Sequence, residues 1–173
     1  DVDAARRAGV PISNNGGANA ISVAEHTLML MLAVLKRMVW CHTNVTAGKW
    51  RIGGFDEHIL YELSGKTVGI IGLGRIGRQV ARIAQAFGMR VLATGFTLTV
   101  ERAQASGVQM ASLEDLLARS DIASIHLRLS ERSAKLIGRR ELRLMKPTAY
   151  LINTSRGGIV DEAALIEAIQ QRR

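Results

Sequence analysis

Lys66-Thr67-Val68-Gly69-Ile70-Ile71-Gly72-Leu73-Gly74-Arg75-Ile76-Gly77 is an apolar run that flows straight into Gly-x-Gly-x-x-Gly. Beyond it, Ile76, Val80, Ile83, Ala84 and Phe87 recur at helical spacing until Gly88 interrupts them. Strand, tight turn, helix is the setting in which such glycines cradle the pyrophosphate of a dinucleotide. Gly72 is expected to permit the turn, Gly74 to let the backbone approach the phosphates, and Gly77 to let the helix pack close to the strand. The free N–H groups and positive dipole end of that helix would face the phosphates.

Outward from this turn, the chain toward its C-terminus alternates between the two periods. Arg90 to Thr94 reads as a second strand, Val100 to Ser106 as a short helix, and a third strand follows near Val108. Ser112 is placed to cap a helix over Leu113 to Arg119, Ile122 to Leu127 reads as a fourth strand, and Thr148 to Asn153 as a fifth. Asp161 is placed to cap a final helix. Such alternation predicts an α/β fold with a doubly wound parallel sheet and ligands at the carboxyl ends of its strands. Three loops should meet there: Gly72 to Gly77, the segment after Leu127, and Asn153-Thr154-Ser155-Arg156-Gly157-Gly158. In the last of these, Arg156 could hold a carboxylate through two parallel hydrogen bonds; the plainer alternative is a surface salt bridge.

Toward the N-terminus, residues 1–21 read as a short helix, a turn at Gly9-Val10-Pro11, and a polar loop from Asn14 to Asn19. Ser22-Val23-Ala24-Glu25 has the form of a capping box, opening a helix expected to run to about Trp40. Its stretch Leu28 to Leu35 is apolar on every side, so more than one face should be covered, by a second domain or another subunit. Residues 41–64 look irregular, with Trp50 as an anchor.

Composition narrows the function classes. The chain has 173 residues, 47% of them hydrophobic and only 4% aromatic, so its core should rest on aliphatic side chains and Met. A single cysteine, Cys41, excludes an internal disulfide and a cysteine zinc cluster, which fits a reducing, cytoplasmic compartment. No apolar run is long enough to span a bilayer. The chain opens Asp1-Val2-Asp3, with neither an initiator Met nor a targeting segment, as expected for the interior of a longer protein. The formal net charge of +8 comes from scattered basic residues without aromatic interleaving. That pattern favours a solvated basic surface that attracts anionic cofactor and substrate over nucleic-acid binding. Nothing suggests a metal site.

Four blocks together resemble the D-isomer-specific 2-hydroxyacid dehydrogenases, a family that includes D-3-phosphoglycerate dehydrogenase, glyoxylate/hydroxypyruvate reductase and formate dehydrogenase. They are Asn19 to His26, Val68 to Gly77, Met145-Lys146-Pro147, and Asn153 to Asp161, in the family's order. The resemblance implies a Rossmann-type nucleotide-binding domain over residues 63–173, truncated at its C-terminus. Residues 1–21 would end the substrate domain, and residues 22–62 would be an interdomain and dimerisation helix with its connection. It implies NAD or NADP as cofactor, a small 2-oxo or 2-hydroxy acid as substrate, and a homodimer joined through the Ser22–Trp40 helix. By the same resemblance Gly72, Gly74, Arg75, Ile76 and Gly77 form the pyrophosphate turn, Gly95 and Leu127 flank the cofactor, and Thr154, Ser155 and Arg156 lie beside the nicotinamide. Arg156 matches the family's catalytic arginine, and Asn19 matches a substrate-holding position of the formate-specific branch.

Two departures stand out. NAD-specific relatives keep an acidic residue about 20 positions beyond the glycines, for the ribose hydroxyls. Here Thr94-Gly95-Phe96-Thr97 has none before Glu101. The loop also has no arginine for a 2′-phosphate, since Arg90 precedes the strand and Arg102 lies further on. Gly95 therefore leaves NAD and NADP open, with NAD the family default. Arg128 stands where relatives commonly carry Pro or an apolar residue. The second departure is that the family's glutamate–histidine acid/base pair lies further along than Arg173. Of the histidines present, His26 is expected to make a local hydrogen bond and His42 and His58 to be exposed. His126, at a strand's carboxyl end, is the best candidate for a cofactor contact. The expectation is a chain that binds nucleotide but does not catalyse by itself. The alternative is a nucleotide-sensing, corepressor-like binding protein on the same fold.

Overall fold

The computed structural model describes residues 1–13, 15–49 and 60–171; Trp50 and His58 lie outside them. Five strands form one wholly parallel sheet: β1 (Thr67–Ile71), β2 (Arg90–Thr94), β3 (Gln109–Met110), β4 (Ile122–Ile125) and β5 (Tyr150–Asn153), in the order β3-β2-β1-β4-β5. The chain leaves β1 in one direction toward β3 and in the other toward β5, so the order reverses between β1 and β4. A crevice opens at the carboxyl ends of strands at such a reversal.

Helices cover both faces. On one lie α2 (Ala20–Leu35) and α4 (Arg75–Ala86), whose Ala24, Leu28, Met31, Val80, Ala81 and Ala84 pack with Val68 and Ile70 of β1 and Val91 and Ala93 of β2. On the other lies α6 (Leu113–Arg119), whose Leu116 and Leu117 pack with Ile71, Leu92, Ala123 and Ile125. The strand residues thus alternate between faces as the pleat requires. With both faces covered, β1 is buried along its whole length, which is why it reads as an unbroken apolar run. A short α5 (Val100–Gln104), preceded by α1 (Val2–Arg7) and α3 (Met38–Thr46) in the N-terminal third, and then α7 (Arg139–Leu144) and α8 (Glu162–Gln170) complete the chain.

The expected caps at Ser112 and Asp161 form, accepting from the Asp115 and Ala164 N–H groups at 3.1 and 3.2 Å. Three expectations fail. The first concerns Ser22, which is not a cap: α2 starts at Ala20 with Asn19 as its N-cap, placing Ser22 inside the first turn. The second is the single helix from Ser22 to Trp40. The chain breaks at Lys36-Arg37, where Arg37 takes φ 48°, and restarts as α3. The Leu35 carbonyl accepts from the Tyr61 N–H at 3.3 Å, a donor from the returning chain in place of the helix's own Val39 N–H. The third is the irregular reading of residues 41–64, since α3 occupies Met38–Thr46. The helix α7 has no clear signal in the sequence. Its Gly138 N–H donates to the Glu141 carboxylate at 3.1 Å, a box whose N-cap glycine carries no side-chain signal.

Candidate functional site

The register aligns the carboxyl ends of four strands, pairing Ile71 with both Thr94 and Ile125, and Ile125 with Asn153. The residues one step beyond are Gly72, Gly95, His126 and Thr154, so the loops picked out from sequence start at one level. Three hydrogen bonds sew them together. Gly72 N–H donates to the Thr94 carbonyl, His126 N–H to the Ile71 carbonyl, and the Ser155 hydroxyl to the Ile125 carbonyl, each at 2.8 Å.

The glycine turn behaves as its spacing suggests. Gly72 has φ 107°, and a Cβ there would stand 2.8 Å from the His126 carbonyl oxygen; both facts demand glycine. A Cβ on Gly77 would overlap the Gly72 carbonyl, so the helix can approach the turn only without one. Gly74 caps α4 without a side-chain cap hydrogen bond, and a Cβ added there would meet open space. The first-turn N–H groups of Arg75, Ile76 and Gly77 have no intrahelical acceptor, and they sit at the positive end of the helix dipole. That combination fits a pyrophosphate.

Arg75 does more than occupy the turn. Its guanidinium donates to the Gly16 carbonyl and ties the 15–19 loop, which ends at Asn19, to the start of α4.

A cleft is lined by Gly72, Leu73 and Gly74 on one wall, Gly95 to Leu98 with Arg102 on another, and His126, Leu127 and Arg128 on a third. Gly72, Gly74, Gly95 and Leu127 are therefore brought together as expected. Arg102 and Arg128 were not assigned to the site from sequence. Arg102 reaches it because α5 folds back, its Nη1 donating to the Thr97 carbonyl at 2.6 Å. Arg128 carried a signal in its unusual position after β4. His126 is enclosed at this wall: Nε2 lies 2.9 Å from the Ser124 hydroxyl, and buried Nδ1 has no partner among the described residues. Burial lowers its pKa to about 4, so it is a neutral imidazole at pH 7.

The 153–158 loop is held by its own Asn153 and by α2. The Asn153 side chain accepts from the Ser155 N–H and donates to the Arg156 carbonyl, both at 3.0 Å. The Thr154 hydroxyl lies 3.1 Å from that of Thr27 in α2. Because Thr27 already donates to the Val23 carbonyl at 2.8 Å, Thr154 is the donor in that pair. Arg156 is left exposed, with Nη1 on its neighbour Ser155's carbonyl at 2.8 Å, and it forms no ion pair among the described residues. His26 and His42 are exposed, and the His26 side chain does not form the expected local hydrogen bond among the described residues.

A larger groove crosses the opposite, amino edge of the sheet, lined in part by Thr67, Arg90, Arg119 and Lys146. Two of its cations are already occupied. Arg119 pairs with Asp115 and Lys146 with Asp121, both at 2.8 Å. No group of three or more His, Cys, Asp or Glu side chains converges on a metal-sized site among the described residues. No helix among them is long and apolar enough to cross a membrane.

Known proteins share this arrangement. The family described as "D-isomer specific 2-hydroxyacid dehydrogenase, NAD binding domain" matches residues 28–173. The chain is 45% identical over 175 residues to a glyoxylate reductase of Aeropyrum pernix, covering 99% of this chain and 52% of that protein. It is 41% identical over 170 residues to a D-3-phosphoglycerate dehydrogenase of Archaeoglobus fulgidus, covering 98% of this chain and 32% of that one. A D-lactate dehydrogenase from Aquifex aeolicus, solved with NAD and lactic acid, superposes with a TM-score of 0.88 at 34% identity, covering 99% of this chain and 50% of that one. The chain thus spans about half, or less, of the length of these relatives.

Proposed function

The chain belongs to the D-isomer-specific 2-hydroxyacid dehydrogenase family, and from that premise we propose that it supplies the cofactor half of an oxidoreductase. The reaction would move a hydride between a nicotinamide dinucleotide and C2 of a small 2-oxo or 2-hydroxy acid. The observation that carries this reading is the common level of the four loops at residues 72–77, 95–98, 126–128 and 153–158, beside the uncapped start of α4.

In this reading the amides of Arg75, Ile76 and Gly77 hold the pyrophosphate, and Gly95 and Leu127 border the adenosine end. The bound cofactor, when present, supplies or accepts the hydride. Thr154 and Ser155 keep their loop fixed through Thr27 and the Ile125 carbonyl. Arg156, free of carboxylate partners, binds the substrate carboxylate and polarises the adjacent carbonyl as negative charge develops there. Asn19 stands at the α2 N-cap as a substrate-holding group.

A carbonyl receiving hydride also needs a proton donor. His126 is neutral, half-buried and bonded to Ser124, which suits a cofactor wall better than proton transfer. By the family resemblance that donor is a glutamate–histidine pair that lies beyond the positions matched here. In this reading the 173 residues contribute the cofactor-binding part of the site, and turnover is a property of the whole enzyme. Residues 1–21, 22–62 and 63–173 would be the end of the substrate domain, the interdomain connection and the nucleotide-binding domain. The uncovered apolar side of α2 and α3 would join two copies as a homodimer.

The test is dinucleotide titration of the chain, followed by reduction assays with glyoxylate and hydroxypyruvate. Saturable dinucleotide quenching with background turnover is expected. Absence of dinucleotide binding would overturn the cradle, and robust reduction by these 173 residues would overturn the division of labour. The corepressor-like alternative predicts instead that the whole protein, with cofactor and substrate acid, shows no turnover.

A further inference from the structure

We infer that the adenosine end of the cleft takes a ribose 2′-phosphate, so that the protein's dinucleotide is NADP(H) rather than NAD(H). This rests on the dinucleotide reading above and deepens it.

The position that would carry an acid for the ribose hydroxyls, about 20 residues beyond the glycines, is Thr94-Gly95. Gly95 is not required by the backbone: it lacks a positive φ. Nor do its surroundings require it, because a Cβ would meet Gly72 Cα at 3.7 Å and Leu98 Cβ at 3.8 Å, ordinary contact distances. The backbone therefore accepts a Cβ at this position. What the absence of an acid does is empty the ribose corner of negative charge.

Positive charge fills the rim instead. Arg102 and Arg128 both line this cleft beside Gly95, and among the described residues no Asp or Glu lines it. The Arg132 guanidinium lies 4.1 Å from the centre of the Phe96 ring, adding a third cation at the mouth. A ribose phosphate carries about two negative charges near neutral pH, and guanidinium forks match phosphate oxygens in pairs.

The two lining arginines stand on prepared backbone. Arg102 spends Nη1 on the Thr97 carbonyl at 2.6 Å, which fixes its reach and leaves its other N–H donors for a ligand. The backbone of Arg128 is pinned by buried Ser133, whose hydroxyl donates to the Arg128 carbonyl at 2.7 Å and accepts from the Ser130 N–H at 2.8 Å. Without the 2′-phosphate neither guanidinium has an anionic partner among the described residues, and the ribose hydroxyls have no acid to bond.

The test is titration of the protein with NADPH and NADH by fluorescence. Competition by adenosine 2′,5′-bisphosphate is then compared with competition by 5′-AMP. NADPH should bind at least tenfold tighter, and the bisphosphate should compete where 5′-AMP at equal concentration does not. R102Q and R128Q should each narrow the NADPH/NADH ratio severalfold, and G95D should reverse it. NADH binding by the same variants shows that they are folded. Equal or tighter binding of NADH by the unaltered protein overturns the inference and leaves the cradle standing. Failure of both dinucleotides overturns the cradle itself, and this inference with it.

Discussion

Gly77 shows how much a single atom decides at this site. A Cβ there would collide with the Gly72 carbonyl, a backbone atom that cannot swing aside as a side chain could. Gly77→Ala is therefore expected to cost about 1–3 kcal/mol of stability as overpacking and to weaken dinucleotide binding, read by thermal melts with and without cofactor. Gly95→Ala, at ordinary contact distances, should melt within about 0.5 kcal/mol of the unaltered protein. His126 adds a pH signature. Its folded pKa of about 4 lies below its unfolded value of about 6.5, so between the two the unfolded chain binds more protons and stability falls with acidification. The loss should reach about 2 kcal/mol between pH 7.5 and pH 5 and vanish in His126→Gln, measured by urea melts at the two pH values. A pH-independent difference between the two proteins would contradict it. The glycine roles were legible because the Gly-x-Gly-x-x-Gly spacing and the strand and helix on either side of it are local in sequence. Arg102 was not, because its arrival depends on how α5 returns to the sheet, while Arg128 showed only as an unusual residue after β4.

At the scale of elements, the strands and the caps Ser112 and Asp161 were readable because period and capping chemistry are local. The break of α2 was not. Lys36-Arg37 contains no Pro or Gly, and the competing donor, the Tyr61 N–H, lies far along the chain. Sequence also concealed what fastens the sheet's amino edge. There the Asp121 carboxylate accepts from the Thr67 N–H and from Lys146, both at 2.8 Å, while its carbonyl accepts from the Tyr150 N–H at 3.0 Å. One residue so joins β1, β4 and β5. Burial raises its pKa, but the bonds from Lys146 and Thr67 outweigh this and hold it below the usual carboxylate range. Asp121→Ala strands two donors and should cost about 1–3 kcal/mol in a denaturation midpoint, without changing dinucleotide affinity. A change in affinity at constant stability would show that the amino edge belongs to the binding site.

At the scale of the molecule, α2 buries one stripe, Ala24, Thr27, Leu28, Met31 and Leu35, and leaves Ile21 at 61%, Met29 at 50% and Val34 at 37% exposure. Met38 and Val39 of α3, at 57% and 76%, extend this apolar surface. All-round apolarity is thus real, but this chain covers only one side of it, as expected if a second copy covers the rest. Met29→Lys combined with Val39→Asp should shift the protein from dimer to monomer in light scattering while dinucleotide binding persists. A monomer before substitution would contradict the interface.

The placement of a dinucleotide across the carboxyl edge of the sheet is the central proposal. Amide hydrogen exchange with and without NADPH tests that placement most directly. Protection is expected at residues 74–78, 95–98, 126–128 and 154–156, with the amino edge unchanged. Protection confined to the groove around Thr67, Arg90 and Lys146, or none at the glycine turn, would contradict it.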